Sequence, residues 1–133
     1  MGKFSLHPRL TQDTIHLRDV EFAQLLLMNN SLYHWFIIVP TTEITEWYQL
    51  SEQQQFSLNK LINLLSLAIK ERLNADKLNI ALIGNVVEQM HIHVIGRNRS
   101  DVAWPNVVWG REERQSYEPP QIEKIRHMVN KLF

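Results

Sequence analysis

Cysteine is missing from all 133 residues. Disulfides, thiol nucleophiles and thiolate zinc sites are therefore excluded, and the composition fits a reducing compartment. Neither sign of charge prevails: Lys and Arg total 14, as do Asp and Glu. A neutral overall field gives no reason to expect a nucleic-acid polymer or a membrane surface as partner. No uninterrupted apolar run approaches a membrane span. The opening residues Met1 to Pro8 carry no apolar run of signal-peptide length, and Leu6 sits where a myristoylation pattern wants Ser or Thr. Internal repeats and low-complexity stretches are absent as well. These absences point to a cytoplasmic globular protein, and the length fits one domain over 1–133, with a core at 14–110 and a tail at 111–133.

What is present divides into α and β segments. Thr14 to Val20 alternates with period two, as a half-buried strand does. Ala23 to Met28 is a short, mostly apolar run closed by the turn cluster Asn29-Asn30-Ser31. Trp35 to Val39 is aromatic and β-branched, and Pro40 closes it. These strands are expected to be antiparallel, because their connections are too short for crossover helices. Ser51 and Gln54 have capping-box spacing, and Leu58, Leu61, Ile62, Leu65, Ile69 and Leu73 follow at helical spacing, predicting one long amphipathic helix to about Asn74. Leu78 to Ile83 and Met90 to Ile95 read as two more strands, joined by Gly84 to Gln89. A loop with Trp104, Pro105 and Trp109 follows, and Pro119-Pro120 opens a short C-terminal helix. The expected fold class is α+β: a five-stranded antiparallel sheet, one long helix and a short C-terminal helix.

The chemistry concentrates in Gln89-Met90-His91-Ile92-His93-Val94-Ile95. Alternate residues on a strand share a face, so Gln89, His91 and His93 form one row, and Met90, Ile92 and Val94 form the core-facing row. Three readings compete: an exposed polar strand face, a shared metal ion, and phosphoryl or nucleotidyl transfer by an imidazole. Arg97 and Arg99 follow the pair, and cations beside a divalent ion are unfavourable. Together with backbone amides of the Gly84 loop, they suit an anion better.

Gln89-x-His91-x-His93-Val94-Ile95 resembles the signature of the histidine-triad superfamily, in which three histidines alternate with apolar residues. The likeness extends to Asn79 on the preceding strand, to Gly84-Asn85-Val86-Val87 before the triad, to Ile38-Val39-Pro40 and to Trp104-Pro105. It covers roughly residues 14–110.

The resemblance implies that the middle histidine, His91, attacks the α-phosphorus of a purine nucleotide conjugate, either a dinucleoside polyphosphate or a phosphoramidate. A covalent nucleotidyl-histidine forms, and water releases the nucleoside monophosphate. His93 becomes the third triad member, Gln89 replaces the first, and Asn85 and Val86 replace a phosphate-contacting Gln and a Ser or Thr. Asn79 helps to hold phosphate, and Asn29 or Asn30 lies where the family holds the ribose hydroxyls. No metal or other cofactor is expected. The family also implies a homodimer paired through the helix and the sheet edge. Gln89 does not titrate near neutrality, and Val86 lacks a hydroxyl, so a slowed enzyme or a binding module without chemistry is the alternative. Trp104 is expected at a subunit interface.

Overall fold

The computed structural model describes residues 4–133; the reading of Met1-Gly2-Lys3 as free of a leader or lipid signal lies outside the described residues. Helix α1 (Pro8–Asp13) has no counterpart in the sequence reading. Its start is nonetheless chemically simple: Pro8 sits in the first turn, and the His7 ring accepts from the amide of Arg9 at 3.0 Å.

Strands β1 (Thr14–Val20), β2 (Ala23–Met28) and β3 (His34–Pro40) form an antiparallel meander. A single turn of 3₁₀ helix at Trp47–Gln49 leads to α2 (Glu52–Arg72). The expected capping box is present: Ser51 Oγ accepts from Gln54 N at 3.1 Å, and Gln54 Oε1 accepts from Ser51 N at 2.9 Å. Asn74, at φ 55°, takes the left-handed turn just past the helix, a conformation Asn tolerates. Strands β4 (Lys77–Leu82) and β5 (Ile92–Arg97) complete a sheet of order β1-β2-β3-β5-β4, antiparallel at every pairing. Helix α3 (Pro119–Leu132) is longer than the short helix expected, and packs on β1.

Both faces of the sheet are covered. On one, Phe36, Ile38, Ile92 and Val94 meet Leu58, Leu65 and Ile69 of α2. On the other, Trp35, Ile37, Val39 and Ile95 lie beneath Phe4, Leu6 and Leu10 and, from the far side, Val108 and Trp109. Fully burying a side chain such as Phe36 or Ile37 stabilises by about 1.5–3 kcal/mol. Double coverage explains why β3 reads as a continuous apolar run and why every residue of β5 is buried, His93 and Arg97 included.

Gly96 fixes how closely α2 approaches. A Cβ there would collide with the Ile69 side chain and crowd Ala75 and His34. The last strand also starts later than the pattern predicts, at Ile92 rather than Met90. On one side its partner runs out: Ile92 pairs with Leu82, the last residue of β4, while β3 continues past Ile38 to Pro40.

Candidate active site

His93 lies on β5, opposite Ile37 of β3 and Ala81 of β4, on the face away from α2. His91 precedes the strand by one residue, and the two rings meet edge to face with centroids 4.9 Å apart. That is closer than the roughly 7 Å repeat of alternate residues on a flat strand. Both rings are nearly enclosed, His91 at 8% exposure and His93 at 5%.

Their hydrogen bonds fix opposite tautomers. His91 Nδ1 lies 2.7 Å from the carbonyl oxygen of Gln89. A carbonyl only accepts, so Nδ1 carries the proton, and the neutral ring keeps its lone pair on Nε2. His93 Nδ1 lies 2.9 Å from Nε1 of Trp35. An indole N–H only donates, so His93 Nδ1 accepts and its Nε2 carries the proton. Burial first, and the neighbouring His91 second, push the His93 pKa down to about 4. The pair thus offers one lone pair and one N–H from adjacent rings.

Trp35 was not visible as a site residue in the sequence. It carries the β-propensity of a core strand, and only the register of β3 on β5 brings it to His93. Trp109 was likewise unassigned; its ring stands edge-on to His93 at 5.2 Å and to Trp35 at 6.1 Å, with its N–H buried and unpartnered.

Gln89 does not stand beside the imidazoles as a third member of their row. Its carboxamide reaches the N-terminal segment instead: Oε1 accepts from His7 N at 2.8 Å, and Nε2 donates to Ser5 O at 2.9 Å. One side chain therefore ties down the segment whose Phe4 and Leu6 roof this face of the sheet. Gly84, at φ +73°, turns the chain after β4, and Asn85 and Val86 beyond it point to solvent, Val86 at 73% exposure. Ile83, Gly84 and Glu88 border a cavity of about 130 Å³ that also touches His91. Small-molecule pockets are commonly about 300–1,000 Å³, so this space takes a phosphoryl group more readily than a whole nucleotide.

The remaining candidates lie elsewhere. Arg97 is 2% exposed and fully engaged: Nε and Nη2 donate to Asp101 at 2.8 and 3.0 Å, and Nη1 donates to Asn79 Oδ1 at 3.1 Å. Its guanidinium also sits between the rings of Tyr33 and Trp104, at 5.6 and 5.7 Å. The expectation of a phosphate-holding Arg97 is thereby corrected: no donor of its fork faces open space, and Asp101 already neutralises its charge. Burial opposes ionisation of Asp101, but hydrogen bonds and charge from Arg97 hold it below the usual carboxylate range. Asn79, paired with Ile95, belongs to this same cluster; it lies about 13 Å along the strands from the level of His91.

Asn29 and Asn30 are corrected in the same way. Their carboxamide oxygens accept from Tyr117 N at 2.9 Å and from Leu32 N and Gln115 N at 3.2 and 3.3 Å, so they hold the C-terminal tail. They stand at the turn before β3, whose His34 pairs with Gly96, at the end of β5 remote from His91. Trp104 lies against Arg97 of its own chain and is half-buried. Among the described residues, no three acidic or imidazole groups converge as a metal site.

A sheet of this topology, with two histidines of opposite tautomer at the start of β5, fits the family likeness. The chain belongs to the HIT domain family, which matches residues 11–100. It is similar along 98% of its length to a histidine triad protein from Marinobacter aquaeolei, at 37% identity, TM-score 0.92 and 96% coverage of that chain. A histidine triad protein from Bradyrhizobium japonicum matches at 35% identity and TM-score 0.93, with 98% of each chain covered. Diadenosine triphosphate hydrolase from Plasmodium falciparum shares the fold at 16% identity and TM-score 0.60, over 91% of this chain and 74% of that one. No curated protein sequence matches the chain. The α+β fold expected from the sequence is the fold observed.

Proposed function

We propose that the chain is a nucleotide phosphohydrolase or nucleotidyl transferase acting at the α-phosphate of purine nucleotide conjugates, with His91 as nucleophile. The observation that carries this reading is the 2.7 Å bond from His91 Nδ1–H to the Gln89 carbonyl, which leaves a lone pair on Nε2. In the first step, Nε2 forms a bond to the α-phosphorus as the bond to the leaving group breaks. Water then attacks the same phosphorus, the N–P bond breaks, and nucleoside monophosphate leaves with His91 regenerated. The His93 Nε2–H donates toward the phosphoryl oxygens, where negative charge must be held. No resident metal or cofactor enters this scheme. Gln89 does not titrate and its carboxamide is turned to Ser5 and His7, so the leaving group takes its proton from water.

The second reading, a module that binds nucleotide without reacting, is favoured by one feature: the two imidazoles are only 8% and 5% exposed. The test separates the two. Purified protein is incubated with an adenylyl-amine conjugate and, because a relative of the same fold is a diadenosine triphosphate hydrolase, with that dinucleotide. Release of AMP that disappears in His91→Ala is the expected result. AMP binding without release from either compound would establish the binding module instead.

The reading also includes a homodimer. Strand β4 is a sheet edge with unpaired backbone, and Ile80 and Leu82 on its helix-side face are 51% and 44% exposed.

A further inference from the structure

A second cavity, of about 670 Å³, opens at the other end of the molecule, between the last turn of α2, the turn before β3, and α3. Arg72 reaches it from α2, and Lys124 and Lys131 reach it from α3, two helical turns apart on one face. His34 and His127 add two imidazoles, and Leu73 and Met128 give an apolar floor. No Asp or Glu lines it.

The charge is local, because the chain as a whole is neutral. Three arginines are paired with carboxylates: Arg97 with Asp101, Arg111 with Glu113, and Arg126 with Glu123. Among the described residues, Arg72, Lys124 and Lys131 make no ion pair or side-chain hydrogen bond. Glu123, next to Lys124, turns to Arg126 at 3.7 Å. Helix ends account for two of the three individually, since Arg72 and Lys131 lie in the last turns of α2 and α3. They do not account for Lys124, nor for all three facing one concave, carboxylate-free space. All three are exposed, so water and salt screen their mutual repulsion, and an anion between them would relieve what is left.

We propose that this cavity is an anion site distinct from the His91–His93 centre, and that it takes a phosphomonoester with an apolar body. Three cations match the two charges of a phosphomonoester, the floor receives its organic part, and the volume suits a small molecule. The site stands independently of any reaction at His91, which lies beyond the opposite end of β5.

The probe is phenyl phosphate, followed by calorimetry on the full chain at low salt, with inorganic phosphate beside it. Saturable binding is expected, at least several-fold tighter for phenyl phosphate, unchanged in His91→Ala, and weakened tenfold or more in the double variant Lys124→Glu/Lys131→Glu. The milder Lys124→Gln/Lys131→Gln pair guards against misfolding, with an unchanged melting temperature as the check. Three results overturn the proposal: no saturable binding, equal affinity in both double variants, or loss of binding in His91→Ala. Inorganic phosphate binding as tightly as phenyl phosphate would remove the apolar body from it.

Discussion

The indole N–H of Trp35 points at Nδ1 of His93 across 2.9 Å and fixes the proton of that imidazole on its other nitrogen. Protonating Nδ1 would set two N–H groups against each other, which reinforces the effect of burial on this ring.

Trp35→Phe keeps an aromatic ring but removes the donor. The His93 titration, followed by NMR of its ring protons, is expected to move up from about 4. A titration that stays in place would show that the indole N–H has no part in holding the tautomer.

His93 also sets a pH dependence of stability. Its folded pKa of about 4 lies below its unfolded value of about 6.5, so between these values the unfolded chain binds a proton that the folded chain does not. Stability therefore falls as pH drops through this window, by on the order of 2–3 kcal/mol from this ring. Denaturant melts at pH 7 and pH 4.5 measure the slope, and His93→Gln should flatten it.

Gln89→Ala removes two hydrogen bonds that hold Ser5 and His7, each worth about 0.5–1.5 kcal/mol. Hydrogen exchange at the His7 amide should quicken by roughly tenfold or more, while exchange in α2 stays unchanged. Protection retained at His7 would mean that apolar packing of Phe4 and Leu6 alone holds the segment.

Asp101→Ala leaves the Arg97 guanidinium buried without its counter-charge, at a cost of about 3–5 kcal/mol. Thermal unfolding reads this directly. A loss below about 1 kcal/mol would show that Asn79 and the flanking rings suffice.

On the dimer reading, Ile80→Glu places a charge on the exposed edge of β4. The expected outcome is a mass halved to 15.8 kDa in analytical ultracentrifugation, without loss of fold. A wild-type chain already at that mass would remove the dimer.

The sheet and the long helix were legible because their signals are local. The Ser51–Gln54 capping box and the leucine spacing behind it needed no tertiary information. The turn between β1 and β2 was less so: Phe22 takes φ 65° without a Gly or Asn, held by packing of its ring on the core. The site was harder still. His91 and His93 stood out by motif, yet what sets their protons is a carbonyl and an indole, and no spacing rule announces either. Arg97 misled because an arginine after the histidines reads as an anion clamp, while its partner Asp101, four residues on, looks in sequence like an ordinary loop acid. Asn29 and Asn30 misled for the same reason. Their bonds go to residues 115 and 117, more than 80 positions away.

The loop after β5 grips that strand at both ends: Asp101 and Trp104 clasp Arg97 at its exit, and Trp109 leans on His93 near its start. The family match ends at residue 100, just short of all three. A chain trimmed to that boundary would keep both histidines and every strand, yet expose a bare guanidinium and strip one wall from His93. The smallest piece that carries the signature is therefore smaller than the smallest piece that can hold it in shape.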